Sequence, residues 1–331
     1  MHLLNPALLF VSALVSRVAA HGVVISIKAN GKTYAGEPNP YQPTAASPIR
    51  AVSNNGPVTD VTDKHLACGN GNKVATMDVP VDAGSVATVQ WTKPWPHLKG
   101  PIMTYLASCG EACSKVTDPT SLNWFKIDQL GAPSDNDTAW VQDTLLCNQP
   151  VQITIPSELK PGYYMIRHEI IALHLATTQG GAEFYPQCIQ VEVKGTGNLV
   201  PPSEGIVHFP GAYRANDAGI AIYTAPDNDE HGYNVNKFYK FPGGPIPQLT
   251  PDSGDSGSSA TSSASASDGP SSTGLSSATS SSEDATSSAG ATQSAMGSVQ
   301  PTSTSETPAS ATAAVSGSCH AKRGSIKRRR I

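Results

Sequence analysis

An imidazole and a freed amino group on one residue can close a chelate ring on a single metal ion, and His21 is placed to offer both. Residues 3–14 form a short apolar run, and Val18-Ala19-Ala20 supplies small side chains just behind it. That is the pattern of a secretory leader whose removal leaves His21 as the first residue. The basic flank of this leader is weak, because no Lys or Arg precedes Arg17. His97, within Pro96-His97-Leu98-Lys99-Gly100-Pro101, offers a third nitrogen. The α-amine and Nδ1 of His21, with one nitrogen of His97, make three neutral donors in a plane. Such a set suits Cu(II), which heads the affinity series of the divalent first-row metals. An α-amine titrates near ~8 and an imidazole near ~6.5, so both shed protons close to neutrality. Zinc hydrolases add a carboxylate or a hydroxide-positioning pair to their ligands, and this set has none. Taken alone, His97 reads equally as an idle loop histidine, and any cleavage must leave some residue first.

A scaffold has to bring residues 21 and 97 together. The chain has 331 residues, about 311 after the leader, enough for one or two domains. Residues 21–249 carry 15 Lys and Arg against 20 Asp and Glu, a net charge of −5. A mildly acidic surface argues against nucleic acid as partner. After the leader no stretch approaches the roughly 18 apolar residues of a membrane span, and no GPI-type apolar tail follows. Short β-branched or alternating segments at 21–28, 74–81, 86–91, 101–108, 123–129, 151–155, 163–174 and 188–193 predict strands separated by Gly, Pro, Asn and Asp turns. Asp82-Ala83-Gly84-Ser85 reads as a hairpin turn. The expectation is an all-β domain, an immunoglobulin/fibronectin-like antiparallel β-sandwich of about 229 residues with long loops at 32–72 and 195–242. Near Thr250 the composition changes to Ser, Thr, Ala and Gly, so residues 250–317 read as a disordered linker open to O-glycosylation, and 318–331 as a basic tail.

Beyond the two histidines, the strand Arg167-His168-Glu169-Ile170-Ile171-Ala172-Leu173-His174 and the segment Gly181-Ala182-Glu183-Phe184-Tyr185-Pro186-Gln187-Cys188 carry further chemistry. Pro210-Gly211-Ala212-Tyr213 and Phe241-Pro242-Gly243-Gly244-Pro245 follow. In this order, behind a histidine at the cleavage point, the set resembles the fungal lytic polysaccharide monooxygenases of auxiliary activity family nine, over essentially all of residues 21–249. The resemblance implies one copper ion on His21 and His97, with Tyr185 at a long axial position and an open equatorial position for an oxygen species. It implies that His174 and residue 183 position that species. The family places a His eleven residues before the axial Tyr and usually a Gln two before it. Glu183 departs from that pattern, since a carboxylate accepts hydrogen bonds but donates none when ionised. The implied enzyme is a secreted, extracellular, monomeric copper oxidoreductase. It hydroxylates C1 or C4 of a β-1,4-glucan such as cellulose, using an external electron donor and dioxygen or hydrogen peroxide. A non-catalytic copper-binding or copper-delivery protein of the same histidine-headed type is the alternative, and a hydrolase using Glu169 and Glu183 is a more distant one. Arg167 reads as the partner of a carboxylate and His168 as packing.

Secretion makes disulfides the default for the six cysteines, whose spacing leaves 15 pairings open. The resemblance implies Cys68–Cys188 and the short ring Cys109–Cys113, the longer closure contributing on the order of 4–5 kcal/mol in the chain-entropy model. Cys147 and Cys319 remain, as a pair or with Cys147 as a buried thiol. Asn136-Asp137-Thr138 is the one N-glycosylation sequon. Cutting a crystalline polymer calls for a flat face with exposed aromatics, for which Tyr41, Tyr213, Tyr233 and Tyr239 are the candidates. No Cys-rich binding module follows the linker.

Overall fold

A computed structural model of the chain describes residues 21–131, 140–222, 228–229, 232–233 and 239–252. Its frame is two facing sheets. Four strands form the first: β1 (Val24–Ala29), β2 (Lys32–Ala35), β4 (Val86–Trp91) and β7 (Val151–Thr154), in the order β2-β1-β4-β7. The second contains β3 (Val79–Asp82), β5 (Ile102–Gly110), β6 (Trp124–Leu130), β8 (Gly162–Ala172) and β9 (Glu183–Lys194), in the order β3-β9-β8-β5-β6. The β-sandwich expected from the strand pattern is therefore present. Pairing is antiparallel except between β3 and β9, which run parallel.

The Asp82–Ser85 turn corrects one expectation. Ser85 N donates to Asp82 O at 3.0 Å, so the tight turn forms. Its flanking strands, however, lie in opposite sheets. Ala83 N donates to Lys194 O in one sheet, and Gly84 N to Ile155 O beside the other. A turn signal reports only a local reversal. Whether the strands then pair or arch over a core depends on which faces are apolar, and β3 and β4 both send valines into the same interior.

The second sheet is buried on both faces, and this explains why 163–174 reads as a near-continuous apolar run. Along β8, Ile166, Ile170 and Ala172 face the core between the sheets, with Trp91, Trp95 and Tyr185. Met165 and Ile171 face a second core under the long loops, with Leu66, Trp124, Phe184 and Phe209. Residues 32–72 are accordingly stapled down rather than loose. Arg50 N donates to Cys188 O at 2.8 Å, Val58 and Phe184 exchange backbone hydrogen bonds, and Cys68 is disulfide-bonded to Cys188. The loop thereby covers the half of β9 that β3 leaves unpaired. Cys109 is bonded to Cys113. Cys147 is disulfide-bonded as well, while Cys319 lies outside the described residues. Leu199–Val200 pair with Thr250–Pro251 near the end of the described chain. Among the described residues, no helix is long and apolar enough to cross a membrane.

Arg167 and Glu169 point into the loop-covered core and meet there. The guanidinium grips the carboxylate through two nitrogens, at 2.6 and 2.8 Å, and also donates to the carbonyls of Leu66 and Ala67. Tyr213 adds a third donor to Glu169 at 2.5 Å. Both charged groups are fully buried. A carboxylate so enclosed reaches no substrate. Glu183, opposite Ala172, lies on the other face of the same sheet, so the two acids cannot flank one glycosidic bond as a hydrolase requires. His168 faces the sandwich core, its Nδ1 3.1 Å from Thr104 Oγ1 and its ring beside Trp91. Burial pushes its pKa down to about 3.

Two predictions follow from these buried groups. Glu169→Gln leaves the Arg167 charge uncompensated and should cost about 3–5 kcal/mol in a denaturant titration, as one-sided breaking of a buried pair does; a loss below about 1 kcal/mol would mean that the carbonyls alone satisfy Arg167. Unfolded His168 takes up a proton below its ordinary pKa near ~6.5, whereas the folded protein resists until about pH 3. Stability should therefore fall with falling pH across that window, by up to about 1.4 kcal/mol per unit from this residue. His168→Gln should flatten the slope by that amount.

Candidate metal centre

The register of β8 on β9 builds one side of the site. Ala172 pairs with Glu183 and Ile170 with Tyr185, so Glu183 and Tyr185 lie on one face near the end of β9. His174 follows two residues after β8, in the connection to β9. Gly181 lets that connection close tightly, since a Cβ there would fall 1.8 Å from Leu175 O.

His97 arrives from the other side, on the segment between β4 and β5. Buried Trp95 anchors this segment by donating its indole N–H to Gln142 Oε1 at 3.1 Å. Gln142 opens the short helix α1 (Gln142–Leu146) and donates in turn to Ile171 O at 2.9 Å. Leu173 N reaches Lys99 O, and Ile171 N reaches Pro101 O. Gly100 lies at φ +123°, where a Cβ would meet Ile171 O at 1.9 Å, so only glycine permits this approach. His97 is thus docked onto the end of β8, its ring stacked on His174 with centroids 4.0 Å apart and planes 16° apart.

His21 completes the group. Its carbonyl accepts from Asn55 Nδ2 at 3.0 Å. Val23 and Thr92 are joined by two hydrogen bonds, and a Cβ on Gly22 would strike Thr92 Oγ1 at 2.0 Å. The His21 ring lies 6.1 Å from that of His97 and 5.8 Å from that of Tyr185, centroid to centroid. One nitrogen of His21, one of His97 and a carboxylate oxygen of Glu183 all lie within 4.8 Å of one another.

Tyr185 OH donates to Glu183 Oε2 at 2.6 Å and lies 3.3 Å from His97 Nε2. Burial, reinforced by the Glu183 carboxylate, holds this phenol well above its ordinary pKa, so it stays protonated. The same Glu183 oxygen is 3.6 Å from His97 Nε2 and 3.9 Å from His174 Nε2. Burial lowers the pKa of His174 despite the opposing carboxylate, which keeps its imidazole neutral at pH 7. A nitrogen-rich donor set with an adjoining oxygen pair fits a copper ion.

The five residues singled out from the sequence for this centre, His21, His97, His174, Glu183 and Tyr185, come together. The tyrosines expected on a substrate face fare differently. Tyr213 is 3% exposed, packed against Phe184 and Phe209 and hydrogen-bonded to Glu169, so it is a buried tether and not a sugar platform. Tyr239 is half-buried between Trp140 and Phe241 and donates to Gly219 O. Tyr41 is 39% exposed. Asn136 and the side chain of Tyr233 lie outside the described residues. Sequence reasoning missed Trp95, Gln142 and Asn55. Trp95 in Trp-Pro-His carried a local hint, whereas Gln142 and Asn55 are brought in only by folding.

Comparison with known proteins agrees with this geometry. The model of auxiliary activity family 9, formerly glycoside hydrolase family 61, matches residues 21–233. Lytic polysaccharide monooxygenase D of that family from Gloeophyllum trabeum is 41% identical over 280 residues, covering 82% of this chain and 77% of the relative. Lytic polysaccharide monooxygenase A from Geotrichum candidum is 40% identical over 234 residues, covering 68% and 75%. Among solved structures, the extended catalytic domain of H. jecorina LPMO9A superimposes with a TM-score of 0.59 at 34% identity, over 70% of this chain and 96% of that domain. A cellulose-active polysaccharide monooxygenase from M. thermophila gives 0.59 at 30% identity, over 70% and 100%. With the matched region spanning both histidines and the strand that carries Glu183 and Tyr185, the chain belongs to auxiliary activity family 9.

Proposed function

We propose that this chain is a secreted copper-dependent monooxygenase that oxidatively cleaves β-1,4-glucan, cellulose foremost, by hydroxylation at C1 or C4. The family's general chemistry, copper-dependent oxidation of polysaccharide, is the frame for this reading. The observation that carries it is the convergence of His21 and His97, 76 residues apart in sequence, on Tyr185, His174 and Glu183. Removal of residues 1–20 would free the His21 amine beside its imidazole. His21 and His97 would then hold copper, with the Tyr185 hydroxyl close beside His97. Bound copper would supply redox chemistry, taking electrons from an outside donor and activating dioxygen or peroxide.

The protein's own residues do the rest. His97 is held between Trp95 and His174, so its ring orientation is set before any ligand arrives. The neutral imidazole of His174 can give or take a hydrogen bond beside the metal. Glu183 accepts a hydrogen bond from the Tyr185 hydroxyl and so aims the phenol's lone pairs away from itself and toward the histidines. Tyr41 and the exposed Leu175, which follows His174, are surfaces for sugar. Asn136 is proposed as the N-glycan acceptor.

Two measurements test the reading. His21→Ala, or one extra residue left ahead of His21, should weaken Cu(II) binding beyond the roughly 10–100-fold that removal of a supporting group costs; undiminished affinity by calorimetry would defeat the chelate. Mass spectrometry of cellulose and hemicellulose digests with ascorbate should show oxidised oligosaccharides that vanish without the reductant. A copper-delivery protein would bind the metal and give none.

A further inference from the structure

We infer that Glu183 supplies an anionic oxygen donor to the metal held by His21 and His97, giving this chain a nitrogen-and-carboxylate centre. The inference rests on the reading of residues 21 and 97 as copper ligands. Its basis is the position of one atom. Glu183 Oε2 stands 3.6 Å from His97 Nε2, 3.9 Å from His174 Nε2 and 2.6 Å from Tyr185 OH, and a carboxylate oxygen of Glu183 lies within 4.8 Å of a His21 ring nitrogen. Donor atoms gathered this closely can share one ion, whose bonds to imidazole nitrogen and carboxylate oxygen run about 2.0–2.2 Å. The backbone favours the same outcome. Glu183 begins β9 in register with Ala172, so its side chain is directed by a paired strand rather than by a loop. Tyr185 holds one carboxylate oxygen in place through its hydroxyl.

The charge has a consequence that a neutral amide at this position would not have. An anionic donor stabilises a doubly charged cupric ion more than a singly charged cuprous one, because the attraction scales with the product of the charges. Glu183 therefore favours the oxidised metal and lowers the reduction potential. It also widens metal choice, since an oxygen anion beside two imidazoles completes a set that zinc accepts.

The test uses the chain as secreted, starting at His21, as wild type, E183Q and E183D. E183Q should weaken Cu(II) binding about tenfold with little change for Cu(I), which raises the midpoint potential by about 59 mV. Its Cu(II) electron paramagnetic resonance spectrum should show the loss of an oxygen donor, and its Zn(II) affinity should fall in parallel. E183D keeps the charge but withdraws it by one methylene, so its potential should lie between the other two. Thermal melting of the metal-free forms reports folding independently. Identical potentials and spectra in wild type and E183Q, with copper bound to both, would overturn the carboxylate donor alone. A wild type that fails to bind copper tightly would overturn the histidine reading, and this inference with it.

Discussion

The pairing of β8 with β9 is the constraint from which the rest of the molecule takes its geometry. It is the longest ladder in the described chain, eleven paired positions from Gly162↔Val193 to Ala172↔Glu183. One face carries isoleucines, valines and Tyr185 into the core between the sheets. The other carries Met165, Arg167, Glu169 and Phe184 under the loops. A slip by one residue would exchange these faces, sending the Arg167–Glu169 pair into the sandwich core and Tyr185 away from the histidines. Apolar burial on both sides, together with the ion pair, locks the register.

The long loops act through that ladder. Residues 36–78 bridge the free part of β9 through Ile49, Val58 and the Cys68–Cys188 disulfide. The last loop is tied from the same side by Tyr213, whose hydroxyl reaches Glu169. On the opposite face, the His97 segment docks on the end of β8 through Trp95, Gln142 and the bare Cα of Gly100. The candidate metal centre is thus assembled where one strand end, one connection and the start of the described chain meet. Each of the three is tied down by contacts outside the centre itself.

Within the centre, electrostatics and burial act against each other. Desolvation favours neutral imidazoles, while the Glu183 carboxylate favours positive charge nearby; for His174 desolvation is the larger effect. A site with nitrogen donors and one anion is poised for a cation, which would give the carboxylate a counter-charge.

Much of this was legible in the chain itself. The apolar run and small residues ahead of His21, the spacing of His174, Glu183 and Tyr185, and the change of composition near Thr250 are one-dimensional facts. The β-sandwich also follows from strand-length apolar segments between turn residues, a local signal. Whether Asp82–Ser85 joins paired strands or arches between sheets depended on the burial of both flanking strands, which no local pattern encodes. The parallel β3–β9 pair was hidden for the same reason. Tyr213 offered the clearest contrast. As a residue type it fits a sugar platform, yet tertiary packing buries it on Phe184 and Glu169 because the buried carboxylate needs its donors more than the surface needs a ring. The role of Gln142 as a brace under Trp95 was equally invisible, since it depends on contacts 47 and 29 residues away. Sequence alone determined which donors exist and in what order. Folding alone decided which of them share one point in space, because convergence is a property of long-range register and close packing.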